Sequence, residues 1–324
     1  MKPASGILGK DLLGLAGLTP EQLTAILDAA EPFRSAAEEG ARKIPMLQGT
    51  TVANLFFEPS TRTRISFEFA EKRMGADTVS LAVAASSLQK GETLVDTARN
   101  VEAMGIEMVV IRHGSSGAAA FLAERIPSRV INAGDGAHEH PTQALLDLLT
   151  LRQHFGRLEG LKVCMVGDVL HSRVARSNIF GLRALGAEVA VCGPPTLVPA
   201  TFEDLGARRF LRLEEAIAWA DALNVLRLQQ ERMTAGYVPS LREYHRIFGI
   251  TEERLEAARR ELLILHPGPM NRGVEIDSTV ADGPHSVILR QVTNGVAVRM
   301  AVLYLLADGD PAAASGAVGK ARAQ

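Results

Sequence analysis

Two cysteines in 324 residues cannot build a disulfide framework, and neither Cys164 nor Cys192 stands at metal-ligand spacing from other ligands. Each falls inside an apolar stretch, so both read as buried free thiols, which suits a reducing cytoplasm. Long hydrophobic runs are missing as well. Nothing approaches the roughly 18 consecutive apolar residues of a membrane span, and the N-terminus offers one Lys and a glycine-interrupted apolar stretch rather than a secretion signal. Blocks of like charge are absent too. With a net charge of -2 and a pI near 6.5, the chain has no footprint for nucleic acid and no attraction for a membrane surface; small molecules or other subunits are the expected partners.

Several catalytic signatures are also lacking. The apolar run ending at Val166 is followed by Gly167-Asp168-Val169-Leu170-His171 instead of a glycine-rich dinucleotide fingerprint, and no Walker-type loop occurs, which moves nicotinamide and ATP chemistry well down the order. There is no Gly-x-Ser-x-Gly elbow, and neither cysteine lies in a polar turn, so a covalent nucleophile is poorly supported. His138-Glu139-His140 has the His-x-His look of metal-dependent amidohydrolases. No Asp, Cys or further His completes a catalytic ligand set at recognisable spacing, however, and no metal is expected.

What the chain does have is alternation. At 47% apolar content it is too long for one typical core and suggests two domains. Thr19-Pro20-Glu21-Gln22 reads as an N-cap, a Pro at the first helical position and a capping-box Gln, opening a helix to about Ala37. Strands are then expected at 52–57, 78–83, 108–112 and 130–132, with helices at 64–74, 93–104 and 118–124, and a long helix over 141–155 leads out. A second series follows, with strands at 162–166, 188–192, 222–226 and 262–265, helices at 174–185 and 214–220, and a terminal helical segment over 287–303. Near-continuous apolar strands separated by helices imply parallel sheets covered on both faces. The expected fold class is α/β, two doubly wound parallel-sheet domains joined by long helices, with boundaries at 1–150 and 151–291. Residues 309–324, rich in Ala and Gly with little to bury, are expected to be a frayed or disordered tail.

Ligands in open α/β sheets bind beyond the carboxyl ends of the strands. Those positions hold Ser60-Thr61-Arg62-Thr63-Arg64, then Ser86-Ser87-Leu88-Gln89-Lys90, Arg112-His113 and His138-Glu139-His140-Pro141-Thr142-Gln143 in the first half; the second half gives His171-Ser172-Arg173, Arg227-Leu228-Gln229 and His266-Pro267-Gly268-Pro269. Ser60 to Arg64 puts hydroxyls, guanidinium groups and backbone N–H groups at one strand-to-helix turn, suited to a doubly charged phosphate. Plain capping is the alternative, since Ser and Thr cap helices routinely. Two Arg in a first turn oppose the helix dipole, though, and an anion would remove that conflict. Lys90, Arg112, Arg173 and Arg227 could each be an ordinary surface cation. Converging on one edge of two sheets they would repel one another unless anions lay between them. His140, followed by Pro and a helix, can direct its imidazole at a carbonyl oxygen, with Gln143 one turn along on the same face.

Phe57-Glu58-Pro59-Ser60-Thr61-Arg62-Thr63-Arg64, Lys90-Gly91-Glu92-Thr93, His140-Pro141-Thr142-Gln143 and His266-Pro267-Gly268-Pro269 resemble, in order and spacing over nearly the whole chain, the catalytic chains of aspartate carbamoyltransferases. The Ser-Thr-Arg-Thr and His-Pro-x-Gln elements are shared with ornithine carbamoyltransferases; Arg227-Leu228-Gln229 and His-Pro-Gly-Pro favour aspartate. The resemblance implies transfer of the carbamoyl group of carbamoyl phosphate to L-aspartate, the committed step of de novo pyrimidine biosynthesis, in the cytoplasm and without metal or organic cofactor. It assigns 1–150 to carbamoyl phosphate, with a helix at about 292–308 packing back on that domain, and 151–291 to aspartate. It gives the phosphate to Ser60, Thr61, Arg62 and Thr63, with Arg112 bridging phosphate and carbonyl. Thr63, Arg112 and His140 then face the carbonyl oxygen, and Gln143 with the backbone of Gly268 and Pro269 holds the carbamoyl NH2. Arg173 and Arg227 clamp the aspartate carboxylates, with Gln229 assisting. Lys90 also binds aspartate and, with a serine of its loop, reaches in from the adjacent subunit of a homotrimer. Both Ser86 and Ser87 are available for that serine, Ser87 being preferred. Regulatory or dihydroorotase-like subunits are possible further partners. The competing readings are a carbamoyltransferase for another amine such as ornithine and a non-catalytic scaffold subunit of the same fold.

Overall fold

The computed structural model describes residues 6–41, 43–82, 93–230, 236–258 and 262–322. Ser87 and Lys90 lie outside the described residues. In chain order the elements are α1 (Pro20–Glu38), β1 (Thr51–Phe56), α2 (Thr61–Arg73), β2 (Asp77–Ala82), α3 (Leu94–Glu102), β3 (Met108–His113), α4 (Ala118–Ala123), β4 (Arg129–Asp135), α5 (Pro141–Phe155), β5 (Lys162–Val166), α6 (Arg173–Ala184), β6 (Glu188–Cys192), α7 (Thr201–Asp204), β7 (Arg208–Phe210), α8 (Leu213–Trp219), β8 (Ala222–Val225), α9 (Leu241–Phe248), α10 (Glu252–Glu256), β9 (Leu263–Leu265), α11 (Ser278–Ala281), α12 (Ile288–Leu306) and α13 (Ala314–Arg322). Two compact units result, residues 1–146 with 293–324 (unit 1) and residues 147–292 (unit 2). Helices α5 and α12 carry the chain across that boundary and back.

Unit 1 contains a four-stranded sheet in the order β2-β1-β3-β4, every pair parallel. Val52 to Phe56 and Met108 to Ile111 are buried without interruption, as a sheet covered on both faces requires. The chain leaves β1 in one direction to reach β2 and returns to the other side of β1 to add β3, so the carboxyl ends of β1 and β3 flank the topological switch point of this sheet. The capping box at α1 forms as the sequence predicts, with Gln22 N–H donating to Thr19 Oγ1 at 3.3 Å and Thr19 N–H to Gln22 Oε1 at 2.9 Å. Helix α2 is tied to β1 from within: Asn54 Nδ2 donates to the fully buried Glu71 carboxylate at 3.1 and 2.8 Å. Burial pushes the Glu71 carboxyl up to about 7.

The tail departs from the expectation of disorder. Asp310 Oδ1 accepts Ala312 N–H at 3.0 Å to start a short 3-10 turn, and α13 follows through Arg322, packing on α1. Ala314 and Val318, one helical turn apart, are buried. Small residues bury little area each but allow close helix contact, and a composition argument undervalues that.

Unit 2 contains a five-stranded parallel sheet in the order β7-β6-β5-β8-β9, with its switch point between β5 and β8. Cys164 on β5 and Cys192 on β6 are both buried and free, and burial pushes the Cys192 thiol up to about 12. Gly167 ends β5 at φ +129°, where an added Cβ would lie 2.6 Å from Leu226 O and 3.2 Å from the Tyr244 hydroxyl. Only glycine fits, because the chain after β8 crosses directly over it. Strand β7 and helix α9 have no counterpart in the sequence reading. Arg208-Arg209-Phe210 is a three-residue edge strand without an apolar run, and α9 opens with Ser240 Oγ accepting Glu243 N–H at 3.1 Å.

Candidate active site

The switch point of unit 1 is built by the turn after β1. Ser60 takes the N-cap position of α2 with φ −159° and ψ 84°, and its hydroxyl makes no capping hydrogen bond. The helical ladder begins with Arg64 N–H donating to Ser60 O at 3.1 Å, so by helix geometry the amides of the first turn point beyond the helix end. No acid occupies that turn. Thr61 and Arg62 are exposed, Ser60 is half-buried, and Thr63 is buried at 8% exposure. Arg64 leans instead toward Glu68, with Nε 3.8 Å from Oε1. Of the two readings of this segment, ordinary side-chain capping by Ser60 is the one the geometry does not show.

Arg112 leaves the end of β3 beside this turn, since Phe57 N–H donates to Arg112 O at 2.9 Å. Its guanidinium is fixed by Nη1 donating to Ala133 O at 3.1 Å and by Nε lying 3.6 Å from Glu58 Oε2. His140 is buried at 5% exposure and its carbonyl starts α5, accepting from Gln143 N–H at 3.0 Å; the Gln143 side chain is also buried. The His138-Glu139-His140 triplet serves divided purposes. Glu139 accepts Leu15 N–H at 2.7 Å and Ala16 N–H at 3.1 Å, stapling the N-terminal segment beneath the site, while the exposed His138 turns its Nδ1 to Asp135 Oδ2 at 3.1 Å. Among the described residues no group of three His, Cys, Asp or Glu could hold a metal ion. Behind α2, Arg299 of α12 donates from Nη1 to Ser66 Oγ at 3.0 Å and to Gly295 O at 2.8 Å; burial lowers its pKa to about 10.

The switch point of unit 2 gathers Arg173, Arg227 and Gln229. Arg173 opens α6 and is buried at 7% exposure, directly after Ser172, whose Oγ caps the helix by accepting Ala175 N–H at 3.1 Å. Arg227 follows β8 and is half-buried. The residue that organises them is Asp168, which sequence reasoning passed over. Fully buried, it accepts His171 N–H at 3.2 Å and His171 Nδ1–H at 2.9 Å on Oδ1, and Gln229 N–H at 3.2 Å on Oδ2. Gln229 returns the link, its Nε2 donating to His171 O at 3.1 Å. The two arginine-bearing segments are therefore cross-linked by one carboxylate. Gly268 and Pro269 follow β9, with Gly268 at φ +63° and Pro269 exposed.

A family model described as aspartate/ornithine carbamoyltransferase, carbamoyl-P binding domain, matches residues 10–153, and a second, described as aspartate/ornithine carbamoyltransferase, Asp/Orn binding domain, matches residues 159–306. The chain belongs to the aspartate/ornithine carbamoyltransferase family. Within it, the chain is 71% identical over 313 residues to the aspartate carbamoyltransferase catalytic subunit of Gemmatimonas aurantiaca, covering 97% of this chain and 98% of that one. Among solved structures it is similar to aspartate transcarbamoylase from Trypanosoma cruzi in complex with carbamoyl phosphate and aspartate, at a TM-score of 0.84 and 30% identity over 93% of this chain and 98% of that one. It is also similar to ornithine carbamoyltransferase from Pyrococcus furiosus, at a TM-score of 0.82 and 29% identity over 96% of this chain and 100% of that one. The turn at Ser60, Arg112, His140 and Gln143 falls inside the match to the family's carbamoyl-P binding domain. Arg173, Arg227, Gln229, Gly268 and Pro269 fall inside the match to its Asp/Orn binding domain.

Proposed function

We propose that the chain transfers the carbamoyl group of carbamoyl phosphate to the amine of L-aspartate, giving N-carbamoyl-L-aspartate and phosphate. The observation that carries this reading is the pairing of chemistries at the two switch points: a 13-residue helix whose N-terminus is left uncapped by Ser60 in unit 1, and two arginines in unit 2. The first suits a phosphate dianion. The second suits the two carboxylates of aspartate, each of which a guanidinium can hold with two parallel hydrogen bonds. An ornithine side chain would bring a third cation to the same place, which like-charge repulsion disfavours.

In this reading Ser60, Thr61, Arg62 and Thr63 hold the phosphate. Thr63, Arg112 and His140 direct donors at the carbonyl oxygen, where negative charge grows as the C–N bond forms and the C–O bond to phosphate breaks. One such donor is worth about 2.7 to 4 kcal/mol of barrier. Gln143, and the backbone of Gly268 and Pro269, are assigned the carbamoyl NH2; Arg173, Arg227, Gln229 and Lys90 are assigned aspartate. The functional unit is a homotrimer in which Ser87 and Lys90 serve a neighbouring copy. Support for a partner comes from Ile65 and Phe69, one turn apart on α2 and both exposed; Val79 on the edge strand β2 is exposed as well. A cytoplasmic setting fits the two buried free thiols, and no described helix is long and apolar enough to cross a membrane. One steady-state assay comparing aspartate with ornithine as acceptor, on a sample of measured mass, tests both parts. Turnover with aspartate at three times the chain mass is expected. Turnover with ornithine alone would overturn the substrate, and a monomer of full activity would overturn the shared site.

A further inference from the structure

Unit 2 holds a second buried carboxylate, to which the reading above gives no task. Glu275 and the ring of His266 are both fully buried, 3.3 Å apart from His266 Nε2 to Glu275 Oε1. Gly268 N–H donates to His266 Nδ1 at 2.8 Å. That nitrogen must therefore present a lone pair, and the ring proton sits on Nε2, facing Glu275. Glu275 Oε1 also accepts Asn271 N–H at 2.5 Å. His266 stands at the entry of the 267–270 turn and Asn271 at its exit, so a single carboxylate oxygen closes the turn from both ends.

The base of the turn is anchored in the interior. His266 N–H donates to Gln291 Oε1 at 2.9 Å, Gln291 Nε2 donates to Asp147 Oδ1 at 2.7 Å, and Asp147 Oδ2 accepts Asn178 Nδ2 and Asn224 Nδ2 at 2.8 and 3.0 Å. On its other side Asn271 Nδ2 donates to Leu228 O at 3.3 Å, between Arg227 and Gln229. A buried carboxylate–imidazole contact of this kind contributes little net stability compared with apolar residues of the same volume, so its value lies in orientation.

We infer that His266 and Glu275 are positioning residues for carbamoyl transfer: the His266 ring, held by Glu275 in the tautomer with the proton on Nε2, fixes Gly268 N–H and so aims the Gly268–Pro269 backbone, and Asn271 ties that aim to the Arg227 segment. This rests on the assignment of the Gly268–Pro269 backbone to the carbamoyl NH2. A misplacement near 1 Å at such a contact costs about 100-fold in rate.

The test compares His266→Asn with His266→Gln in the full chain. An Asn side chain places its oxygen near the Nδ1 position and can accept Gly268 N–H, whereas a Gln side chain places its amide near Nε2 and keeps only the Glu275 contact. His266→Gln is expected to lose about 100-fold in kcat, and His266→Asn to stay within about tenfold of the parent, with closely similar melting temperatures for the two. Asn271→Ala, at a half-buried position, is expected to raise the KM for aspartate severalfold while leaving that for carbamoyl phosphate unchanged. Equal kcat losses in the Asn and Gln variants, or losses that track melting temperature, would make the pair merely structural and overturn the inference. If His266→Gln does not fold, a hundredfold loss in His266→Asn or an unchanged aspartate KM in Asn271→Ala overturns it equally. Absence of aspartate carbamoylation by the parent chain would instead sink the proposed function.

Discussion

In unit 1 the groups we assign to the phosphate come mostly from one short stretch, residues 60–63, and from the geometry of a helix end; in unit 2 those we assign to the carboxylates come from segments far apart in the chain, joined by Asp168 and Glu275. The first design uses backbone and hydroxyl donors that are fixed as soon as α2 forms. The second uses long arginine side chains, whose flexibility has to be removed by neighbours: Asp168 binds the 171–173 and 227–229 segments together, and Asn271 holds Leu228. A tetrahedral dianion with several oxygens is met well by a cluster of small donors. Two separate carboxylates at a set spacing are better met by two forks held apart.

The comparison is broken most severely by removing the charge from the unit 1 turn. Arg62→Ala is expected to lose turnover by 100-fold or more at any carbamoyl phosphate concentration, measured by steady-state kinetics; near-parental kcat would remove Arg62 from the mechanism. The same variant mixed with Lys90→Ala under subunit exchange is expected to regain part of the activity, and verified mixed trimers without recovery would argue against sites shared between copies. Next in size, Arg227→Lys keeps the charge and loses the fork. It is expected to raise the KM for aspartate by roughly 10- to 100-fold, the worth of a charge-assisted bidentate contact, with little change for carbamoyl phosphate. The opposite pattern would move Arg227 to the other substrate.

The smallest effect concerns stability and belongs to unit 1 alone. Burial raises the Glu71 carboxyl from its usual 4.5 to about 7. Between those values the folded chain keeps a proton that the unfolded chain has released, so stability falls as pH rises across that window and is then constant, by something on the order of 3 kcal/mol in all. Glu71→Gln still accepts from Asn54. Denaturant melts should show it equal to the parent near pH 4 and more stable at pH 8; a difference independent of pH would mean that Glu71 titrates alike in the folded and unfolded chains.

The sequence reveals the two switch points unequally, for the same physical reason. Ser60 to Thr63 and His140 to Gln143 are strand-to-helix junctions, and cap residues, Pro at N1 and apolar periodicity are all local signals. Asp168 was visible only as a residue where a glycine fingerprint would stand. Its partner Gln229 lies 61 positions away, and nothing in the local pattern marks the bond. Glu275 likewise looks like one more acid in a polar turn until His266 and Asn271 are brought against it. Among the elements, the strands with continuous apolar runs were legible, while β7, short and arginine-rich at a sheet edge, was not. The tail misled in the opposite direction, because alanines that bury little area apiece can still order a helix when another helix lies alongside.

That helix has a consequence for how the chain comes to be folded. Unit 1 is assembled from residues 1–146 and 293–324, so α1 meets α13 only after some 146 intervening residues of unit 2 have been made. Unit 2 is continuous, and the hydrogen bonds that run from Asp147 to Gln291 and His266 lie within it. On a ribosome unit 2 can therefore close before unit 1, which is completed only when the segment carrying α13 has emerged.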